Sequence, residues 1–212
     1  MKRIIDPGLE ELSATLNKMG ELAYYAVSTT LRECVEEWSA YSKIREISDA
    51  LILMADYVED KVFELIVRFQ PVASDLRTIK SYMKIAYDFA RFGRYALDMS
   101  YTSQKFHGVR NCEAWITSYI KEMGEKTLNM IRLSIDFLRD RNPQLAEKIV
   151  KIEEEIDKMY FDFLDELARR SDTTIRCAVS SVLIVRYLER IADHATYVYK
   201  SIIYITTGQR LF

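Results

Sequence analysis

The stretch Ser180–Tyr204 reads SSVLIVRYLERIADHATYVYKSIIY and gives the clearest indication of the fold class. It contains neither Gly nor Pro, and its apolar residues recur at the three- and four-residue spacing of an α-helix. A wide apolar face is formed by Tyr187, Leu188, Ile191, Ala195, Val198 and Ile202. The pattern predicts one long helix with that face in a hydrophobic core.

Two carboxylates, Glu189 and Asp193, interrupt one edge of this apolar face. Residues four apart lie one above the other on a helix, so both side chains point the same way. Arg186 and Arg190 each precede one acid by three residues, and ion pairs at a half-buried edge are one explanation. The other is a hard-cation site completed by carboxylates of a facing helix. The spacing alone leaves both open.

The composition is typical of long helices. The chain has 212 residues, of which 49% are hydrophobic and 29% charged, with 6 Gly and 3 Pro. The net charge of −2 excludes the basic surface expected of a nucleic-acid-binding protein. No apolar run is long enough for membrane insertion, and the N-terminus lacks a signal-peptide pattern. There is no Gly-rich phosphate loop, which argues against ATP hydrolysis.

The three cysteines are Cys34, Cys112 and Cys177. They are odd in number and far apart, so they fit neither a disulfide framework nor a zinc-site spacing. We therefore expect free thiols and a cytoplasmic protein in a reducing environment.

Gly, Pro and polar stretches divide the chain into six helical segments. The predicted helices span residues 6–38, 41–69, 72–103 and 112–139, then a segment capped by Asn142-Pro143 that reaches residue 168, and one from 171 to before Gly208. The polar segment Tyr101–Arg110, YTSQKFHGVR, is predicted to be a linker.

The two halves of the chain resemble each other. A shift of 99 residues places Arg77 on Arg176 and Tyr95 on His194, and a shift of 98 places 63–66 on 161–164. The prediction is an all-α fold of two tandem three-helix bundles, residues 1–104 and 105–212. Short turns make neighbouring helices antiparallel.

The repeat also predicts where the acidic site is kept and where it is lost. The fifth helix carries acids that antiparallel packing could bring against Glu189 and Asp193, and we name Glu154 and Asp157 as its metal ligands. In the first half the positions of Glu189 and Asp193 are occupied by Ala90 and Arg94, so the two halves cannot hold equivalent sites.

Arg94 has a hypothesis of its own. A guanidinium at this position could replace a metal ion by pairing with Glu59 or Asp56 of the second helix. His194, which follows Asp193 directly, points about 100° away from it on a helical wheel. We interpret it as a surface or interface histidine on the polar side, not as a ligand.

Three motifs resemble the PhoU family of phosphate-uptake regulators. Residues 69–77, FQPVASDLR, are similar to its QPVAxDLR signature; residues 187–195, YLERIADHA, to LERIxDHA; and residues 16–22, LNKMGEL, to its usual opening. The resemblance covers nearly the whole chain, in order and duplicated. It implies a PhoU-like pair of bundles without enzymatic activity, and a carboxylate motif that holds metal clusters in some members.

The resemblance also implies a function. Such a protein regulates phosphate uptake and phosphate-starvation signalling as a helical scaffold between a phosphate ABC transporter, through its ATPase subunit, and a sensor kinase, and a homodimer is expected. An all-oxygen site favours Mg²⁺, Ca²⁺, Mn²⁺ or Fe³⁺, with Zn²⁺ a further candidate. Two alternatives remain open: an accessory protein of a different phosphate transporter, and a carboxylate-bridged metalloenzyme.

Overall fold

The chain folds into six long α-helices. The computed structural model describes residues 3–36, 38–142 and 144–211. Within them lie α1 (Asp6–Val35), α2 (Tyr41–Phe69), α3 (Ala73–Phe106), α4 (Ala114–Asp140), α5 (Gln144–Arg169) and α6 (Ile175–Thr207), and no strand. The predicted all-α fold class is confirmed.

Left-handed residues end four of the helices. Gln70, His107 and Arg141 follow α2, α3 and α4 with φ of 43°, 64° and 50°, and Gly208 follows α6 with φ of 73°. A residue in this conformation lets the backbone N–H groups that follow a helix bond its last free carbonyls. The turns between helices are therefore short, and consecutive helices run antiparallel.

The helix boundaries differ from the predicted ones at several ends. The first helix ends at Val35, before the predicted end at Trp38. The sixth helix is capped by Thr174 and not by Ser171, because the Thr174 hydroxyl accepts a hydrogen bond from the Cys177 N–H. Pro143, predicted to cap the fifth helix, lies outside the described residues.

The predicted linker is mostly helical. Of the segment Tyr101–Arg110, residues up to Phe106 continue α3, and only the stretch from His107 onwards leaves the helix. The polar residues that suggested a linker include Thr102 and Ser103, whose side chains are buried and hydrogen-bond backbone carbonyls. Polar composition was misleading here because hydroxyls can be satisfied by the helix backbone itself.

The helices pack as two trios. Within each trio all three helices contact one another, α1–α2–α3 and α4–α5–α6, and the trios meet through α1 against α4 and α3 against α6. The α3–α6 contact is the most extensive of all. The domain boundary after residue 104 stays a prediction, since α3 itself runs on to Phe106.

The α3–α6 contact has a pseudo-twofold axis. The Tyr95 hydroxyl lies 3.4 Å from His194 Nε2, and these two residues are 99 positions apart, the shift that relates the repeats. The same shift carries Asp88 onto Tyr187. The Asp88–His194 pair on one side of the axis therefore corresponds to the Tyr95–Tyr187 ring contact, with centroids 6.1 Å apart, on the other.

The bundles share a continuous core with close helix approaches. Phe89 on α3 and Phe137 on α4 are among its largest fully buried side chains, and each such burial stabilises the fold by about 1.5–3 kcal/mol. A Cβ on Gly20 of α1 would lie 2.8 Å from Ile135 Cγ1 of α4, so the absence of a side chain lets the bundles approach here. None of the described helices is long and apolar enough to cross a bilayer.

Candidate metal centre

Three carboxylates converge where α5 packs against α6. One oxygen each of Glu153, Asp157 and Asp193 lies within 4.8 Å of the others. Glu153 and Asp157 are four residues apart, so they share one face of α5, and that face is turned towards Asp193 of α6. Carboxylate oxygens at such separations are the donors that hard divalent and trivalent cations take.

The structure brings together two of the four predicted ligands, with a third beside them. Asp157 and Asp193 belong to the acidic group, and Glu189 lies one helical turn before Asp193, only 8% exposed. Glu154 is exposed and outside the group, and Glu153 occupies the place predicted for it. Glu153 and Glu154 both lie within one helical turn of Asp157. Which of the two faces α6 depends on the rotation of α5 about its own axis, and that rotation is set by tertiary packing.

Both ion pairs permitted by the spacing along α6 are present. Arg186 Nη1 lies 2.7 Å from Glu189 Oε1, and Arg190 Nη1 lies 3.2 Å from Asp193 Oδ2. The Arg186 pair satisfies one oxygen of Glu189. The other oxygen, Oε2, is buried and has no hydrogen-bond partner among the described residues. The arginines therefore leave acceptor capacity unused beside the acidic group.

Burial and mutual repulsion make the acids hard to ionise. Burial, reinforced by the charge of Asp193, raises the pKa of Glu189 from 4.5 to about 7, although Arg186 opposes the rise. Burial also raises the pKa of Glu153 and of Asp157, and in both cases the Asp193 charge adds to the effect. A bound cation would remove the repulsion, so the electrostatics of the group favour occupancy by positive charge.

The first bundle lacks this arrangement, and the hypothesis for Arg94 is wrong. Within residues 3–36, 38–142 and 144–211, Arg94 forms no ion pair with Asp56 or Glu59, and it is exposed. Its charge acts instead on Asp98 of its own helix, where it opposes the rise in pKa that burial causes. A long guanidinium side chain reaches water at this edge of the bundle and needs no partner on α2.

His194 is buried, contrary to the prediction of a polar-side histidine. It is 9% exposed, and its Nδ1 lies 2.8 Å from Asp88 Oδ1 across the α3–α6 contact. The side of α6 that a helical wheel labels polar is covered by α3 of the other bundle. Asp88, 3% exposed, is the residue that sequence reasoning missed. The only signal for it in the sequence was that the repeat aligns this carboxylate with Tyr187, a residue of the apolar face of α6.

Cys112 and Cys177 form a disulfide, so the prediction of three free thiols is wrong and the cysteines no longer support the expected reducing environment. Their Cα atoms are 5.6 Å apart, and 65 residues separate them in sequence. The bond joins the turn before α4 to the first turn of α6. Cys34 is free and buried. Spacing along the chain missed the pair because the two positions are 65 residues apart in sequence and meet only through the arrangement of the helices.

Comparisons with known proteins agree with this architecture. The PhoU domain model matches residues 9–102 and 120–202, one copy in each bundle. A PhoU homologue of Clostridium acetobutylicum, named as a phosphate-specific transport system accessory protein, is 30% identical over 219 residues, which cover 99% of this chain and 97% of that protein. A homologue of the same name from Mycobacterium tuberculosis is 26% identical over 217 residues, covering 98% and 95%.

Solved structures support the fold independently. PhoU from Pseudomonas aeruginosa superimposes with a TM-score of 0.89 at 24% identity, covering 97% of this chain and all of that one (100%). The phosphate transport system regulatory protein PhoU from Streptococcus pneumoniae gives a TM-score of 0.75 at 21% identity, with 98% and 99% covered. With both bundles matched by the domain model and a relative aligned end to end, this chain belongs to the PhoU family.

Proposed function

We propose that this chain is a non-enzymatic regulator of phosphate uptake and of phosphate-starvation signalling. It acts in the cytoplasm as a helical scaffold between the ATPase subunit of a phosphate ABC transporter and a sensor kinase. The observation that carries the proposal is the end-to-end match to proteins named as accessory to phosphate-specific transport, with a PhoU domain in each bundle. A scaffold of this kind requires exposed helix faces that partners can bind.

One such face lies on α2. Five large apolar side chains project from it into solvent, with exposed fractions from 39% to 77%: Ile52, Leu53, Tyr57, Phe63 and Val67. At 100° per residue they fall within an arc of roughly 140° on the helix surface. Exposed apolar patches of this kind mark protein interaction sites. We infer that the transporter ATPase subunit binds this α2 face.

Binding of purified partners tests the proposal. The ATPase subunit and the kinase from the same organism are each titrated against wild-type protein and against Leu53→Ser/Val67→Ser. In the complex these two aliphatic side chains would be buried, and the loss of each costs about 1.5 kcal/mol or more of binding free energy. We therefore expect ATPase binding to weaken at least tenfold. The control variant Ile175→Ser/Val179→Ser removes exposed apolar side chains from the start of α6 and leaves binding unchanged.

The result also separates this proposal from its alternative. If neither the ATPase subunit nor the kinase binds wild-type protein, while a single-component phosphate transporter does, the chain serves a different transporter. Light scattering on the same samples measures the oligomeric state. We expect a homodimer, with twice the 24.9 kDa mass of one chain.

We further propose that the acidic group of the second bundle binds a hard metal ion, Fe, Mn, Mg, Ca or Zn. Glu153, Asp157 and Asp193 would supply oxygen ligands, and the unpartnered Oε2 of Glu189 is a fourth within one turn. A bound cation would hold α5 against α6 and neutralise the clustered negative charge. No chemical turnover is assigned to it.

Elemental analysis of untagged protein tests the metal proposal. Asp157→Asn/Asp193→Asn is expected to lose the metal, and Glu153→Gln to bind it at least tenfold more weakly. The matched control is Glu154→Gln, which removes the same charge from the neighbouring, exposed position of α5. Equal metal content in wild-type protein and in the Asp157→Asn/Asp193→Asn variant would contradict a site at this group.

A further inference from the structure

A cationic cleft lies between α3 and α6. It has a volume of about 210 Å³ and sits where the first turns of α3 meet the end of α6. Lys80 and Lys84 line it from α3, and Lys200 and Arg210 line it from α6 and the residues that follow. No carboxylate is among its lining residues in the described part of the chain. We call this the α3–α6 cleft.

No described carboxylate holds any of the four cations of the cleft in direct contact, although Lys84 acts electrostatically on Asp88 and Lys200 on Glu153. Among the residues described, none of them forms an ion pair, whereas surface cations elsewhere, such as Lys126 and Arg132, are held by carboxylates at 2.7 Å and 2.6 Å. Like charges gathered without directly paired carboxylates repel one another. The cleft therefore carries a positive potential that an anion would relieve.

A fifth cation, Arg77, does not line the cleft but lies close to the segment that leads to Arg210. The guanidinium of Arg77 packs against Gly208, with its Cζ 3.7 Å from the position a Cβ would take there, and Gly208 precedes Arg210 by two residues. The Nε of Arg77 is buried and has no hydrogen-bond partner among the described residues. Arg77 therefore adds positive charge near the Arg210 side of the cleft.

Hydroxyl groups complete the lining. Ser81 of α3 and Ser201 of α6 are buried, 2% and 6% exposed, and both line the cleft together with Tyr204. Ammonium, guanidinium and hydroxyl groups are donors that match the oxygens of a phosphate group. Drug-sized ligands occupy sites of roughly 300–1,000 Å³, so a cleft of about 210 Å³ suits a smaller group.

We propose that the α3–α6 cleft binds the phosphate group of a small soluble anion, either orthophosphate itself or a phosphate monoester. Because two cations and one serine come from each side of the contact, the bound group links the two bundles. The cleft shares no residue with the apolar α2 face or with the acidic group. A test of anion binding at the cleft is therefore independent of a test of the docking role proposed above.

Calorimetric titration in phosphate-free buffer at low ionic strength tests the site. Orthophosphate, AMP and adenosine are titrated separately into the intact protein. The variant is Lys80→Gln/Arg210→Gln, which removes one exposed cation from each side of the cleft. Lys200 is left in place because its charge also reaches Glu153 of the acidic group.

The matched control is Arg45→Gln/Arg176→Gln, which removes two exposed cations outside the cleft. Arg176 lies at the opposite end of α6, about 36 Å from Lys200 at 1.5 Å per residue. Circular dichroism establishes that both variants keep the helical content of wild-type protein.

The expected result is saturable binding at one site per chain by orthophosphate, AMP or both, and none by adenosine. Binding weakens at least tenfold in Lys80→Gln/Arg210→Gln and is unchanged in the control. Orthophosphate and AMP together identify whether the free anion or the ester is preferred. The proposal is overturned if neither binds, if the two variants behave alike, or if only vesicles of anionic phospholipid bind the protein.

Discussion

Reduction of the Cys112–Cys177 bond provides a quantitative test of the packing of the second bundle. The bond closes a loop of 65 residues that contains all of α4 and α5. In the chain-entropy model, a cross-link of this span stabilises the folded state by roughly 4 kcal/mol, because it restricts the unfolded chain. For a chain of this length, each kcal/mol shifts Tm by roughly 2–4 °C, which predicts a decrease of about 8–16 °C on reduction.

Thermal unfolding followed by circular dichroism, with and without reductant, measures this difference. The Cys112→Ser/Cys177→Ser variant should melt near the reduced wild-type protein and should not respond to reductant. Helical content at 25 °C is expected to stay unchanged, because the Ser180 hydroxyl still donates a hydrogen bond of 2.8 Å to the Gly108 carbonyl at the same end of the bundle.

Thiol labelling supplies the control for the redox state. Cys34 is fully buried, and burial raises the pKa of its thiol, so it stays unlabelled in both states of the folded protein. Cys177 is also buried, so Cys112, which is partly exposed, is the residue expected to be labelled only after reduction. Equal Tm values for oxidised and reduced wild-type protein would refute the loop-entropy reasoning, and labelling of Cys112 before reduction would refute the bond itself.

Three substitutions test other parts of the structure. In metal-free protein the pKa of Glu189 rises from 4.5 in the unfolded state to about 7 in the folded state, so its burial lowers the free energy of unfolding as pH rises through that interval. Glu189→Gln should therefore raise the free energy of unfolding by up to about 3 kcal/mol at pH 8 and leave it unchanged at pH 4, as measured by urea unfolding. Asp88→Leu leaves His194 Nδ1 without its partner 2.8 Å away and should lower the free energy of unfolding by about 1–3 kcal/mol. Gly20→Ala forces Ile135 to move and should destabilise by about 1–3 kcal/mol, the opposite sign to an Ala substitution in an exposed helix.

The fold was predictable from sequence because helix periodicity and repetition are properties of the chain alone. Long runs without Gly or Pro indicated the number of helices, and the shift of 99 residues aligned Tyr95 with His194, but their contact across the pseudo-twofold axis was not predicted. Helix ends were less predictable. They depend on capping contacts such as the hydrogen bond from the Cys177 N–H to the Thr174 hydroxyl. Ser171, three residues earlier, is an equally suitable cap by sequence.

The acidic site was predictable only within one helix. Glu189 and Asp193 share a face because they are four residues apart, and this follows from helix geometry. The choice of Glu153 over Glu154 depends on how α5 rolls against α6, which is set by tertiary packing. One further signal was present and unused: the first and third helices of an up-down-up trio start at the same end, which places Cys112 near Cys177.

The two bundles have diverged at the contact between them. At the α3–α6 axis, a contact that symmetry would make twice has become an Asp88–His194 pair on one side and a Tyr95–Tyr187 ring contact on the other. This asymmetric contact favours a single relative placement of the two bundles. If the two pairs exchanged partners, the Asp88 carboxylate would be buried against a tyrosine ring.

Among the described residues, the clustered acids lie in the second bundle, and α2 of the first carries five exposed apolar side chains, of which Ile52 and Phe63 have the exposed apolar counterparts Val150 and Phe161 in α5. In α5, the positions that correspond to Leu53, Tyr57 and Val67 are Lys151, Glu155 and Asp165, which are charged. If the acids bind a cation and the apolar face binds the transporter, the α3–α6 junction, which is the more extensive of the two contacts between the bundles, is the main route by which a change at one bundle reaches the other. Asp88→Leu should therefore alter partner affinity at the α2 face, although it touches neither site, whereas unchanged affinity would mean that the bundles act independently.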